Sequence, residues 1–194
     1  MKKITKILTS SLLCATMSFS LFACSKENGK TEKADTAKTA PKAVEKIITL
    51  DSETIYGEQI TNEYFKENDL TIVNIMATWC GPCVREMPEL QAINAADNGF
   101  GVVGVVVDTI DEITGLKKDS AAAEAAEIAA ATGVKYPLVI PTQTFMEQTL
   151  NKTAALLPMS FIVNSNGKIV KGPIAGAKDM NGWLNILNKV KEAL

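Results

Sequence analysis

The sequence has 194 residues, with 20 basic and 22 acidic side chains, a formal net charge of −2 and no histidine. This balance, without a basic patch interleaved with aromatic residues, gives no reason to expect nucleic-acid binding. Four cysteines are present, at positions 14, 24, 80 and 83. Their contexts carry most of the functional information in the chain.

The first 23 residues have the pattern of an export signal. Three lysines within the first six residues precede a mostly apolar run, 7–22, that carries no charge. That run is shorter than the ~20 residues that span a membrane, which favours a cleaved signal over a permanent anchor. Leu21-Phe22-Ala23-Cys24 then has the form of a lipobox. We predict a lipoprotein signal peptide at 1–23 and lipidation of Cys24. The alternative is ordinary secretion, which would leave Cys24 as a free thiol.

Residues 24–46 are predicted to be a flexible tether. They are rich in Lys, Glu, Thr and Ala, contain no aromatic residue, and offer Val44 as their single large aliphatic side chain. Such a segment cannot bury a core of its own. A surface helix over 32–46 is the alternative, although Pro41 interrupts it. A single globular domain is then predicted over 47–194.

The domain alternates strand and helix patterns, which is typical of an α/β fold. In chain order the sequence first predicts a β-hairpin of 47–50 and 54–57 around Asp51-Ser52 and a short helix at 58–67. Buried strands follow at 71–76 and 101–107, separated by a helix at 82–96, and then a polar loop over 108–120 and a helix at 121–132. The last predicted elements are a strand at 136–140, a short helix at 142–150, a hairpin of 159–163 and 168–171 around Asn166-Gly167, and a terminal helix at 179–194.

The segment Trp79-Cys80-Gly81-Pro82-Cys83 lies where the first buried strand meets the opening of a helical pattern. A helix N-terminus carries a partial positive charge, so a cysteine placed there has a better-stabilised thiolate, the species that attacks disulfides. Cys83 lies one turn further on, where it can attack a mixed disulfide formed by Cys80. Pro82 suits the first helical turn because its missing N–H would be unpaired there. The pattern indicates a redox-active dithiol.

Two other interpretations of the cysteine pair are a structural disulfide and half of a zinc site. Zinc would need two more Cys or His ligands, and the chain has no histidine. Cys14 would leave with the signal peptide and Cys24 would carry lipid. A structural bridge across two residues closes a very small loop and would add little entropic stabilisation. We therefore expect no metal and no external cofactor beyond a Cys80–Cys83 disulfide.

The run from Val73 to Pro88, VNIMATWCGPCVREMP, resembles the TlpA/ResA branch of thioredoxin-fold proteins. These are membrane-tethered, extracytoplasmic thiol–disulfide oxidoreductases that include reductases serving cytochrome c maturation. The resemblance covers about 47–194. It implies an α/β thioredoxin-like fold, in which helices flank a central mixed β-sheet, with an N-terminal β-hairpin and a central α insert at about 108–133.

The resemblance also implies roles for individual residues. Cys80 matches the attacking cysteine and Cys83 the resolving one, with Trp79 and Pro82 as accessory residues. Pro158 matches the cis-proline that faces the CxxC motif and presents backbone to the substrate. The alternative for Pro158 is a trans proline that opens an edge strand.

Glu86, three residues after Cys83, matches an acidic residue that the family keeps beside the active site. Its implied role is proton management or partner choice, and the alternative is a solvated carboxylate on the helix surface. The chain also departs from the wider pattern at three positions. Asn74 stands where thioredoxin has a buried Asp, Met76 where a tryptophan is common, and Met159 where a small polar residue often follows the proline.

These features predict an extracytoplasmic reductase of disulfides in exported proteins, for example in cytochrome c maturation or the repair of oxidised surface proteins. A polytopic membrane protein would supply its electrons, and lipid on Cys24 would anchor it at the bacterial cell surface or in the periplasm. A disulfide-forming oxidase would use the same residues in reverse. A non-catalytic thioredoxin-fold binding module is the third hypothesis.

The lipobox can be tested by replacing Cys24 with alanine. A diacylated cysteine supplies two acyl chains, enough for stable anchoring where one chain is marginal. Cys24→Ala should therefore release the protein from the membrane fraction or block its processing, as judged by cell fractionation and mass spectrometry. Membrane association of the variant at its mature size would contradict lipidation.

Overall fold

The computed structural model describes residues 46–149 and 156–194. The predicted signal peptide, Cys24 and all but the last residue of the predicted tether lie outside these residues, so the domain boundaries stay predictions. The described elements, in chain order, are β1 (Asp51–Glu53), β2 (Gln59–Thr61), α1 (Glu63–Lys66), β3 (Leu70–Met76), α2 (Gly81–Ala95), β4 (Phe100–Val106), a 3₁₀ turn (Val107–Thr109), α3 (Asp119–Thr132), β5 (Leu138–Val139), α4 (Gln143–Thr149), β6 (Met159–Asn164), β7 (Ile169–Ala175) and α5 (Met180–Glu192).

A five-stranded mixed sheet in the order β5-β4-β3-β6-β7 forms the centre of the described domain. β3, β4 and β5 run parallel, while β6 lies antiparallel to β3 and β7 antiparallel to β6. Every residue of β3 and β4 is buried, as expected for central parallel strands covered on both faces. The mixed sheet flanked by helices confirms the predicted fold class.

Side chains on the two faces of the sheet belong to separate apolar clusters. One cluster joins the sheet to α2, α3 and α5 and includes both active-site cysteines. The other joins the opposite face to residues 48–50, α1 and α4. Because side chains alternate along a strand, Ile72 and Asn74 of β3 share the α2 face while Val73 and Ile75 face the other way.

The predicted N-terminal hairpin is wrong in its position. Asp51 and Ser52, predicted as its turn, lie within β1, which pairs with β2. The chain instead reverses between Thr54 and Glu58. Thr54 Oγ1 accepts hydrogen bonds from the backbone N–H groups of Tyr56 and Glu58, and Gly57 has a φ of 87°. Side-chain bonding to the local backbone therefore overrides the β-type composition of this segment.

The predicted helix over 58–67 is also too long. Its first part forms β2 (Gln59–Thr61), and α1 is limited to Glu63–Lys66. The other predicted elements are found with shifted ends. β5 is only two residues long, between Pro137 and Pro141. α3 ends at Gly133, which adopts a φ of 72° as its C-cap.

The turn between β6 and β7 depends on Gly167, as its Asn-Gly signal predicted. Gly167 has a φ of 74°, and a Cβ placed on it would lie 2.6 Å from the carbonyl oxygen of Ile48. Its own carbonyl accepts a 2.8 Å hydrogen bond from the Ile48 N–H. The turn therefore packs directly on the backbone of Ile48, and there is no room for a side chain at position 167.

Gly167→Ala should lower the free energy of unfolding by about 2–4 kcal/mol, the cost of a left-handed L-residue plus overpacking against backbone. Gly176→Ala is the matched control, because Gly176 also has a positive φ of 80° but has no atom within 4 Å of its Cβ position. The control should cost about 1 kcal/mol. Equal losses in urea denaturation would refute the close approach to Ile48.

Candidate active site

The two cysteines lie at the edge of the sheet where β3 ends and α2 begins. Cys80 is the N-cap residue of α2, and its Sγ accepts a hydrogen bond from the backbone N–H of Cys83 at 3.3 Å. The pair forms a disulfide with a Cα–Cα distance of 5.2 Å. In the reduced protein the same N–H and the helix dipole would stabilise a thiolate on Cys80. Cys80 is 4% exposed and Cys83 is 1% exposed.

The predicted accessory residues lie close to the cysteines in the chain or at the same end of the sheet. Trp79 is 72% exposed directly before Cys80, and Pro82 lies in the first turn of α2. The Leu157–Pro158 peptide bond is cis. Pro158 leads directly into β6, whose first residue pairs with Ile75 near the end of β3. Pro158 therefore lies at the same edge of the sheet as the end of β3.

A carboxylate that the sequence did not single out anchors the segment before the cysteines. Asp108, just after β4, accepts hydrogen bonds from the backbone N–H of Thr78 at 3.1 Å and from its hydroxyl at 2.6 Å. Because β4 lies beside β3 in the sheet, this clasp joins the ends of two parallel strands. It fixes the backbone two residues before Cys80.

Glu86 is only 2% exposed, so it is not a solvated carboxylate on the helix surface. Its Oε1 accepts hydrogen bonds from the backbone N–H of Lys178 at 2.8 Å and from Trp183 Nε1 at 2.9 Å. Its Oε2 accepts one from Asn74 Nδ2 at 3.2 Å. Asn74 also donates to the hydroxyl of Ser160 at 3.0 Å. The carboxylate therefore connects α2 to β3 and to the N-terminal part of α5.

Burial raises the pKa of Glu86, and its hydrogen bonds with Lys178 N–H, Trp183 and Asn74, together with the Lys178 charge, offset part of that effect. Glu86 lies three residues after Cys83, so the two side chains share a face of α2. The arrangement can hold a proton beside the dithiol at a higher pH than a solvated glutamate would.

The sequence pattern predicted Asn74 only as a departure from thioredoxin, and it did not single out Trp183 as a site residue. Both are donors to Glu86. Lys178 adds its backbone N–H, and its ammonium group lies 5.2 Å from the centroid of the Trp183 ring. The available signal was the tryptophan itself, since a buried indole N–H nearly always has an acceptor.

Across residues 46–149 and 156–194, no group of three or more His, Cys, Asp or Glu side chains is placed to hold a metal ion. Within the same ranges, no helix is both long and apolar enough to cross a membrane.

The family model described as Redoxin matches residues 24–181. The chain belongs to the Redoxin family. It is 26% identical over 166 residues to the thiol-disulfide oxidoreductase ResA of Bacillus thuringiensis subsp. konkukian, covering 82% of this chain and 80% of that protein. It is 25% identical to the sporulation thiol-disulfide oxidoreductase A of Bacillus subtilis, covering 67% of this chain and 74% of that protein.

Among solved structures, a thioredoxin-family thiol:disulfide interchange protein from Chlorobium tepidum TLS superposes with a TM-score of 0.61 at 21% identity, covering 77% of this chain and 98% of that chain. That likeness supports the thioredoxin-like fold. The family match and the Cys80–Cys83 pair confirm the predicted enzyme class. The chain is a thioredoxin-like thiol–disulfide oxidoreductase of the ResA type.

The buried state of Glu86 predicts how stability depends on pH. Because its pKa is higher in the fold than in the unfolded chain, the fold is favoured when Glu86 is protonated. The contribution of Glu86 to the free energy of unfolding should be fully present below the ordinary glutamate pKa and should be lost as pH rises through the raised pKa. A tenfold difference in the proton affinity of Glu86 between the folded and unfolded chains lowers the free energy of unfolding by about 1.4 kcal/mol across this pH range. Urea unfolding from about pH 4 to about pH 8 should reveal it.

Glu86→Gln should remove that part of the pH dependence. Glu89→Gln is the matched control, because Glu89 lies on the same helix and accepts the backbone N–H of Met180 at 2.9 Å. The control should keep the wild-type slope. If Glu86→Gln and wild type have parallel stability profiles, the pKa of Glu86 is not raised.

Proposed function

We propose that this oxidoreductase works as a reductase of disulfides in exported proteins, outside the cytoplasm. The observation that carries the proposal is the Cys80–Cys83 pair at the N-terminus of α2, with the Cys83 N–H directed at Cys80 Sγ. This geometry favours the thiolate on the first cysteine and places the second one turn further along the helix. An attacking thiol and a resolving thiol require that asymmetry.

The proposed reaction has two exchange steps. The Cys80 thiolate attacks one sulfur of the substrate disulfide, forms a mixed disulfide and releases the other substrate sulfur as a thiolate. Cys83, as its thiolate, then attacks Cys80 Sγ, which forms the Cys80–Cys83 disulfide and releases the second substrate thiol. Two electrons pass to the substrate, and its two thiolates take up protons. An external dithiol must return two electrons to the enzyme after each cycle.

Direction depends on the reduction potential, and thioredoxin-like pairs range from about −270 to about −120 mV. Thioredoxin, at the reducing end of this range of potentials, has the same Gly-Pro pair between its cysteines as Gly81-Pro82 here. The sequence also has no histidine to stabilise the thiolate further. These features favour a reductase over a disulfide-forming oxidase. A non-catalytic binding module would have no need for two paired cysteines.

The lipobox at Leu21–Cys24 supports an anchor on the outer side of the cell membrane, at the cell surface or in the periplasm. An anchored reductase in that compartment needs electrons from across the membrane, so a polytopic membrane protein is the proposed donor. The proposed clients are exported proteins with a disulfide to be reduced, such as an apocytochrome c or an oxidised surface protein.

The proposed substrate-binding surface consists of the residues that flank the disulfide at the sheet edge. Trp79 is largely exposed next to Cys80, so its indole can pack against a bound polypeptide. Pro82 and the Leu157–Pro158 segment border the same edge. Glu86 is buried in the interior of the domain, and we propose it as the group that exchanges protons with the dithiol.

The test combines turnover with trapping. Wild type should reduce insulin disulfides in the presence of a dithiol donor, and Cys80→Ser should abolish this activity because the attacking sulfur is gone. Cys83→Ala should accumulate a mixed disulfide through Cys80 with its exported client, to be identified by mass spectrometry. Cys80→Ala is the matched control, since only the resolving cysteine remains in it. Equal trapping by both alanine variants would contradict the assigned roles, and lack of insulin reduction by wild type would contradict a reductase.

A further inference from the structure

Tyr136 has a buried hydroxyl that the proposed mechanism does not use. The residue is 3% exposed, and its hydroxyl has no hydrogen-bond partner among the described residues. Most buried polar side-chain atoms are paired with protein or ordered water, so an orphan of this kind calls for an explanation. By contrast, the Tyr64 hydroxyl donates to the carbonyl oxygen of Val102 at 2.8 Å.

The sheet register places Tyr136 beside the Glu86 network. Asn74 of β3 lies opposite Gly104 of β4, and Gly104 lies opposite Leu138 of β5. The Tyr136 ring lies over Gly104, with Cε2 only 3.2 Å from the position that a Cβ would take. Glu86 is bound to Asn74, one strand away. The phenol and the carboxylate therefore lie over adjacent strands on one face of the sheet. Neighbouring strands are about 4.8 Å apart.

The helix that carries Glu86 also holds the backbone of Tyr136. Gln91 Oε1, five residues after Glu86 on α2, accepts hydrogen bonds from the N–H groups of Lys135 at 2.7 Å and Tyr136 at 3.3 Å. Burial, and then the negative charge of Glu86, raise the pKa of Tyr136. The phenol is therefore within electrostatic reach of the carboxylate.

The carboxylate has room for another donor. Glu86 Oε1 receives two hydrogen bonds, whereas Oε2 receives one described hydrogen bond, from Asn74. Each carboxylate oxygen can accept about two. Neighbouring strands are about 4.8 Å apart, and a single water with bonds of about 2.8 Å to each side can join groups roughly 5 Å apart, so groups that lie over adjacent strands can share one water. Such a water would satisfy both the orphan hydroxyl and Oε2.

We propose that Tyr136 is a positioning residue for Glu86, because its hydroxyl donates through one buried water to Oε2. This fourth donor favours the ionised carboxylate and so sets the pH range over which Glu86 exchanges its proton beside the dithiol. The link to the cysteines rests on the proposed function, whereas the hydrogen bond itself does not.

The groups that affect Glu86 come from each element packed around it. β3 and β6 contribute neutral side chains, Asn74 and Ser160. The titratable or charged groups are Lys178 before α5, Tyr136 before β5, and Cys80, Cys83 and Glu89 on α2 itself. Of these, the cysteines do not titrate while they form the disulfide, so in the oxidised protein Lys178 and Glu89 are the other charged groups around the Tyr136–Glu86 pair.

The test is Tyr136→Phe, which keeps the ring over Gly104 and removes only the hydroxyl. In the oxidised protein the pKa of Glu86, followed by carbon-13 NMR and assigned with Glu86→Gln, should rise by about 0.5 to 1, because the ionised form loses a donor. In the reduced protein the pH–rate profile of Cys80 alkylation should move with it. A change in the first measurement without the second would support the hydrogen bond and overturn the link to the cysteines.

Tyr64→Phe is the control, since it removes a partly buried phenol hydroxyl that is bonded elsewhere. It should lower the urea midpoint and leave the pKa of Glu86 unchanged. Tyr136→Phe should also lower the midpoint at neutral pH, because Glu86 loses a bridged donor. An unchanged pKa of Glu86 in Tyr136→Phe would overturn the proposal. A raised urea midpoint in Tyr136→Phe would also overturn the proposal, because removal of a buried hydroxyl that has no partner stabilises the fold.

Discussion

The burial of one carboxylate, Glu86, constrains the rest of the active domain. A buried ionised carboxylate costs several kcal/mol unless hydrogen bonds compensate for the lost water. Here the donors come from the central strand, from the segment before the terminal helix and from that helix itself. If any one of these three segments moved away from α2, the buried carboxylate would lose one of its three donors. The helix that presents the cysteines is thereby fixed to the sheet and to α5 at a point one turn from Cys83.

The position of the acid distinguishes this site from that of thioredoxin, to which the sequence is similar around the dithiol. Asn74 occupies the strand position of thioredoxin's buried Asp, and the carboxylate comes from α2 instead. Ionised, such a group disfavours a nearby thiolate; protonated, it can donate a hydrogen bond or a proton to a leaving sulfur. Its titration would then be coupled to that of the cysteines, and apparent pKa values would belong to the group.

The sequence was sufficient where the determinants are local. The apolar runs of β3 and β4, the CxxC motif at a helix start and the Asn-Gly turn each specify their structure within a few residues. The hairpin prediction failed because Thr54 bonds to its own neighbours, which composition alone does not reveal. The burial of Glu86 could not be predicted, because Lys178 and Trp183 lie 92 and 97 residues away in the chain. Spacing on α2 indicated that Glu86 approaches Cys83, but not what surrounds it.

The architecture separates the two demands of disulfide exchange. A substrate must reach Cys80 from outside, where Trp79 is exposed and the Thr78–Asp108 clasp holds the backbone rigid. Cys83 as a residue is 1% exposed, so solvent has little direct access to its sulfur. Its proton must therefore be exchanged through the local interior or through transient opening. In the proposed function, the buried carboxylate of Glu86 on the same helix face exchanges that proton while substrate covers the outer surface. Burial of Glu86 therefore lowers the free energy of unfolding when the carboxylate is ionised, and the same burial would keep a proton available for the proposed exchange.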